Sequence, residues 1–125
     1  MSVEEATKVV RRYLDGHSTE VLARDAVFTM MGTGEQFRGP DAIGAMLQHF
    51  YHGVFEAHAE ERNLIVTDGH AVLEAEVVGQ LREPLGDVAP SGAEVRVPLC
   101  VVYELRGGSI VAARIYLETD RLRQS

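Results

Sequence analysis

The stretch EVRVPLCVVYELRGGSIVAARIYLE, residues 94–118, gives the strongest indication of the fold. Two long apolar runs flank Arg106-Gly107-Gly108, which predicts two antiparallel strands joined by a tight turn. A second pair of strands is predicted upstream from residues 54–66 and 70–81, which meet across Thr67-Asp68-Gly69. Four long strands in succession therefore predict an antiparallel meander.

The length of these strands predicts a curved sheet. Several runs approach a dozen residues, which corresponds to roughly 35–40 Å if a strand is straight. A flat sheet of that length would overrun a domain of 125 residues. The sheet must therefore twist and curl.

Three helices are predicted before the meander. Ser2 and Glu5 form a capping-box pattern at the start of a first helix that stops near Gly16. STEVLAR, residues 18–24, predicts a short second helix, and a third follows the Gly39-Pro40 start signal. Between the last two, DAVFTMMG and TGEQFRG predict a strand and a shorter partner.

This order predicts one α+β domain over residues 1–125. In it a curled antiparallel sheet forms a cone that is capped by three N-terminal helices. The conical space between sheet and helices is where a small molecule is expected to bind.

Composition excludes several classes of function. The formal charge of −7 disfavours nucleic acid and anionic membrane surfaces as partners. The single cysteine, Cys100, excludes an intramolecular disulfide. The amino terminus has no apolar stretch of signal-peptide type and no segment reaches the length of a membrane span, so a cytoplasmic location without membrane attachment is expected.

The sequence also resembles a known family. VLARDAVFTMMGTGEQFRGPDAIGAML is similar to the opening of the SnoaL-like polyketide cyclases, within the nuclear transport factor 2-like superfamily. LIVTDGHAVLEAEVVG, APSGAEVRVPLCVVYEL and GGSIVAARIYLETDRLRQ match later segments in order, so the resemblance covers residues 5 to 124. It implies the cone fold and a homodimer formed through the outer face of the sheet.

The resemblance also implies a catalytic carboxylate. The cyclases end their last strand with an aspartate that acts as acid and base, and Glu118 aligns with it. Tyr116 or Tyr13 would donate a hydrogen bond to the developing enolate oxygen. The alternation of the last strand opposes this role, because an inward apolar face that includes Ile115 and Leu117 would turn Glu118 outward.

The remaining candidate residues concern the pocket and possible metal sites. His58, in the middle of a predicted strand, is a further candidate for a pocket role. His49 and His52 have a spacing that permits a shared metal, but no third ligand is evident, so no metal is predicted. The expected pocket lining is formed by Phe28, Met30, Met46, Phe50 and Tyr103.

Two functions are compatible with these patterns. The first is a cofactor-independent cyclase- or isomerase-type enzyme that binds a small apolar carbonyl compound. The superfamily's epoxide hydrolases use an Asp–Arg–Asp arrangement, and Ile115 occupies the position of one of those aspartates, which makes epoxide opening the weaker prediction. The second is a dimeric ligand-binding or assembly domain of the same fold without chemistry.

Overall fold

The computed structural model describes residues 1–124 of the chain. Within them lie two α-helices, α1 (Val3–Leu14) and α2 (Pro40–His49). Both start where the sequence signals them: the Ser2 side chain accepts a hydrogen bond from the Glu5 amide, and Gly39 precedes Pro40. The six strands in this part of the chain are β1 (Leu22–Met30), β2 (Gln36–Arg38), β3 (Phe55–Val66), β4 (His70–Leu81), β5 (Glu94–Arg106) and β6 (Ser109–Leu117).

The strands form one sheet in the order β2-β1-β6-β5-β4-β3. The predicted meander is confirmed, since β3, β4, β5 and β6 pair antiparallel in succession. The prediction of a wholly antiparallel sheet is wrong at one place, because β1 pairs parallel with β6. That pairing joins residues such as Val27 and Ala112, which lie 85 positions apart in sequence, and no local turn signal specifies its direction.

The prediction of three helices is also wrong. Residues Thr19–Val21 form only a single 3₁₀ turn, and Ser18 makes no side-chain capping bond. Strand β1 begins immediately afterwards at Leu22, where Val21 and Leu22 are both buried. A turn of three residues is stabilised very little by helix propagation. The burial of Val21 and Leu22 at the start of β1 therefore outweighs the local preference for a helix.

Irregular pairing curls the sheet. Register shifts occur in β3 between Glu61 and Asn63 and in the β5–β6 pair next to Leu105. Extra residues of this kind bend a strand and increase its twist. The curl gives the sheet a concave face, which α1 and α2 cover, and a convex face.

The core lies on the concave side. Along β4 the inward residues Ala71, Leu73, Ala75 and Val77 are buried, whereas Glu74 between them is exposed. The largest fully buried side chains include Phe28 on β1, Ile43 on α2, Phe55 on β3 and Ile110 on β6. Among residues 1–124 no helix is long and apolar enough to cross a membrane.

Candidate ligand-binding site

A partly open cavity of about 250 Å³ lies between the concave face of the sheet and the two helices. Its wall is mainly apolar. The structure places the expected lining residues Phe28, Met30, Met46, Phe50 and Tyr103 on this wall. Strands β4, β5 and β6 complete it with Leu73, Ala75, Leu99, Val101 and Ile115.

Aromatic rings form a continuous side of the cavity. The Tyr13 ring lies 5.9 Å from Phe28 and 5.7 Å from Tyr103, both in edge-to-face orientation, and 5.4 Å from His17. His17 in turn stacks on Tyr51 at 5.1 Å. Contacts of this kind stabilise the packing of large side chains, so the rings form one packed side of the cavity.

Two phenols on this wall are buried without a partner. Tyr13 is 2% exposed and Tyr103 is 3% exposed, and neither hydroxyl forms a hydrogen bond with any described residue. No fully enclosed side-chain oxygen lacks a partner in residues 1–124, so both hydroxyls open onto the cavity. Burial raises the pKa of Tyr13 and of Tyr103 well above the ordinary value of 10.0. Both therefore stay protonated and can donate a hydrogen bond to a bound molecule.

His17 is a polar wall residue that sequence reasoning treated as part of a turn. It follows Gly16 after the end of α1 and has a left-handed backbone, with φ of 55°. Burial, with a smaller contribution from His52, lowers the pKa of His17 below its ordinary value of 6.5. The imidazole is therefore neutral at physiological pH. No local pattern marks this residue, because its ring is covered by Tyr51, which is distant in sequence.

His58 borders the cavity, but its side chain belongs to the convex face. Its ring is two-thirds exposed, and Nε2 lies 3.3 Å from Glu60 Oε2. Glu60 also accepts hydrogen bonds from Arg62 and Arg96, of which the Arg62 bond contributes most to lowering the pKa of Glu60. His58 is therefore part of a solvated charge network and is not directed at a bound molecule.

Among the residues that the structure describes, Glu61 is the one acidic residue on the cavity wall. Arg11 of α1 binds both of its oxygens, at 2.7 and 3.0 Å. Such a bidentate pair fixes the carboxylate and satisfies both oxygens. Glu61 therefore joins α1 to β3 at the rim of the cavity.

The structure places Glu118 and Tyr116 outside the cavity. Glu118 is exposed, just beyond the end of β6, and Tyr116 is 46% exposed. Both lie along a shallow depression on the convex face, beside Cys100 and Pro98. The expectation that the terminal carboxylate projects into the hollow is thereby corrected. Alternation along β6 directs Ile115 into the cavity and its neighbour Tyr116 to the opposite side, and no irregularity re-aims the end of the strand.

His49 at the end of α2 and His52 on the following π-helical turn do not form a metal site. Residues 1–124 contain no group of three His, Cys, Asp or Glu side chains that could hold a metal ion. His52 Nδ1 instead lies 3.3 Å from Glu56 Oε1 at the surface.

Sequence comparison gives one match. The model of the family described as SnoaL-like domain matches residues 9–113. No curated protein matches the chain.

Solved structures with the same architecture carry several different names. A candidate SnoaL-like polyketide cyclase from Jannaschia sp. CCS1 superposes with a TM-score of 0.81 at 17% identity, over 97% of this chain and 90% of that one. A candidate ketosteroid isomerase from Kribbella flavida gives 0.71 at 16% identity, over 92% and 78%. An LEH-like epoxide hydrolase from M. tuberculosis gives 0.69 at 18% identity, over 98% and 89%. At these identities the likeness shows the fold.

Proposed function

Because the chain belongs to the SnoaL-like domain family, we propose that it binds a small, mainly apolar carbonyl compound in its cavity and moves a proton next to the carbonyl group. One observation carries this proposal: two buried phenols, Tyr13 and Tyr103, face an apolar cavity with no partner of their own. A few polar groups on an otherwise apolar wall fix the orientation of a bound molecule, and these two hydroxyls are free to donate to it.

The cavity volume limits the ligand. At about 250 Å³ it lies just under the usual range of roughly 300–1,000 Å³ for ligand pockets. Compounds of one or two rings fit this space better than a four-ring skeleton. The methionines Met30 and Met46 add adaptable surface for an apolar body of this size.

The polar groups favour a carbonyl oxygen in the ligand. A protonated phenol donates to a carbonyl, and it stabilises the negative charge that develops on the oxygen when an adjacent carbon loses a proton. Among the similar structures, the names polyketide cyclase and ketosteroid isomerase both refer to carbonyl compounds. This chemistry needs no metal or organic cofactor.

The alternative function is a binding or assembly domain without chemistry. One observation supports it: Glu118, the carboxylate that the family resemblance assigns as base, is exposed and lies away from the cavity, and Glu61 is bound by Arg11. If no other group accepts a proton, the cavity binds its ligand and releases it unchanged.

We also propose a homodimer through the convex face of the sheet. Ile65, Val72 and Val102 are cross-strand neighbours on β3, β4 and β5, and they form an apolar row across that face. Ile65 is 52% exposed, and Tyr116 on the same face is 46% exposed. Large exposed apolar side chains on one face are typical of an interaction surface.

The binding part of the proposal is tested with a matched pair of probes. 1-Tetralone is a two-ring ketone, and tetralin has the same skeleton without the oxygen. Calorimetric titration should show tighter binding of 1-tetralone, and Tyr103→Phe should weaken it about 3- to 10-fold without affecting tetralin, as expected for one neutral hydrogen bond.

Tyr116→Phe is the control, because it removes a phenol from the convex face and leaves the cavity unchanged. No measurable binding of either compound, or equal affinity for both, would contradict a carbonyl-binding cavity. The proton-transfer part is tested by incubating the protein with 1-tetralone in D₂O and following deuterium uptake next to the carbonyl by NMR. Uptake at the rate of buffer alone would support the non-catalytic alternative.

A further inference from the structure

His17 lies where a proton acceptor for the cavity is needed. Its side chain lines the cavity, and its ring contacts Tyr13 at 5.4 Å and Tyr51 at 5.1 Å between centroids. Tyr13 also contacts Tyr103 at 5.7 Å. The rings of His17 and Tyr103 therefore both contact the Tyr13 ring, and all three residues line the same cavity.

We propose that His17 is the general base of the cavity and takes the proton from the carbon next to the ligand's carbonyl group. This inference rests on the proposed function. It replaces Glu118 by a side chain that no sequence pattern marked as catalytic.

The ring nitrogens of His17 are available for this role. Neither forms a hydrogen bond or an ion pair with any residue that the structure describes. The other basic groups near the cavity already have charged partners: Arg11 binds both oxygens of Glu61, and Nε2 of His58 lies 3.3 Å from Glu60. A base must have a free lone pair, and the neutral imidazole of His17, which lines the cavity, has one.

The surroundings keep His17 unprotonated. Burial is the main cause of its lowered pKa, and His52 on the short π-helical turn after α2 adds to it. The other titratable groups that face the ring are Tyr13 on α1 and Tyr51 on the π-helical turn, both of which are neutral because burial raises the pKa of each phenol. No carboxylate pairs with the imidazole among residues 1–124.

The proton transfer balances without a further reactant. The unprotonated ring nitrogen takes H⁺ from the carbon, the electrons of the C–H bond form a C=C bond, and the carbonyl electrons move to the oxygen. The hydroxyls of Tyr13 and Tyr103 stabilise that enolate oxygen by donating hydrogen bonds. The imidazolium then returns the proton to the same carbon or to another carbon of the conjugated system.

The test measures deuterium uptake into 1-tetralone by the wild type and by His17→Asn. Asparagine tolerates the left-handed backbone at this position. We expect uptake to fall at least about 100-fold, within the usual contribution of a general base, while the affinity for 1-tetralone stays within about 3-fold. For the wild type, kcat/KM for exchange should decrease as pH falls through the lowered pKa of His17 and level off at neutral pH.

A second variant keeps the test decisive if asparagine impairs folding. His17→Gly also accepts the positive φ and leaves space for a free imidazole. Added imidazole should restore exchange in this variant in proportion to its concentration, which a merely structural histidine would not allow. The matched control is His70→Asn, which removes an exposed histidine at the start of β4 and should leave exchange unchanged.

The outcomes separate the two proposals. If the wild type binds 1-tetralone and exchanges its protons, but His17→Asn exchanges as fast, the inference about His17 is wrong and the proposed function stands. If the wild type does not bind 1-tetralone or does not accelerate exchange, the proposed function is wrong, whatever the His17→Asn variant does. Loss of both binding and exchange in His17→Asn, with no rescue of His17→Gly by imidazole, would also reject the role as base.

Discussion

The ring of His17 stacks on the ring of Tyr51, with centroids 5.1 Å apart and an interplanar angle of 21°. This contact joins the turn after α1 to the π-helical turn after α2, so the two helix ends meet at the cavity wall. It also covers one face of the imidazole. His17 therefore packs the two helix ends together and also adds a polar group to the cavity wall. Its protonation should in addition affect the stability of the fold.

The stability of the fold should depend on the protonation of His17. Its pKa is lowered in the folded state, so the unfolded chain binds more protons in the interval between the folded pKa and the ordinary value of 6.5. The His17 contribution to the free energy of unfolding is therefore complete above pH 6.5 and is lost as pH falls through that interval. Urea midpoints measured over this interval should decrease on acidification.

The matched comparison isolates that residue. His17→Asn should show a smaller decrease in the urea midpoint than the wild type, whereas His70→Asn should follow the wild type, because His70 is exposed. Equal pH dependence in His17→Asn and the wild type would show that His17 titrates alike in the folded and unfolded chains.

Local patterns predicted the meander and both α-helices because each rests on residues that are neighbours in the chain. The hairpin turn at Gly107-Gly108 and the capping residue Ser2 act within a few residues of their effect. The parallel pairing of β1 with β6 and the loss of the helix near Thr19 depend on contacts distant in sequence. A local pattern carries no information about such contacts.

For the candidate site, too, the sequence predicted what depends on neighbouring residues and missed what depends on distant ones. Period-two alternation indicated that the polar residues of β6 lie on the face opposite Ile115. In the structure Ile115 lines the cavity and Tyr116 is exposed on the other face. His17 could not be recognised, because its burial depends on Tyr51, which lies thirty-four residues away on another element. A turn histidine has the same local sequence whether or not a second helix covers it.

Gly79→Ala should destabilise the fold strongly. A Cβ at this position would lie 2.1 Å from the backbone oxygen of Glu56 and 2.6 Å from the Cα of Ala57, so β3 and β4 would have to separate. Overpacking of this kind costs about 1–3 kcal/mol, and more when backbone must move. Gly32→Ala is the control, since nothing lies within 4 Å of its Cβ. Chemical denaturation that gives equal losses for both variants would contradict the close approach of the two strands.

Glu118→Gln should leave ligand binding and proton exchange unchanged. The carboxylate is exposed and is directed away from the cavity, so its charge is screened from a bound molecule by solvent and by the sheet. Affinity for 1-tetralone and deuterium uptake should both stay within about 2-fold of the wild type, since surface substitutions of this kind have small effects. A decrease of about 100-fold in uptake would restore Glu118 as the base and would require the end of β6 to rearrange.

Ile65→Asp should shift a dimer to the monomer. Ile65 is half-exposed on the convex face, next to Val72, and in the proposed dimer the same row of the second copy covers it. A carboxylate there would be buried without a partner, which costs several kcal/mol for the pair of protomers. Sedimentation velocity should give twice the chain mass for the wild type and the single chain mass for the variant.

The control for this experiment places the same carboxylate on another exposed apolar residue. Val3 is 48% exposed in the first turn of α1, away from the convex face, and a negative charge is favourable at a helix N-terminus. Val3→Asp should therefore keep the wild-type mass. A wild type that sediments as a monomer at every concentration, or a Val3→Asp variant that dissociates as readily as Ile65→Asp, would reject the convex face as the interface. Because the cavity opens on the opposite side of the sheet, the monomeric Ile65→Asp variant should still bind 1-tetralone.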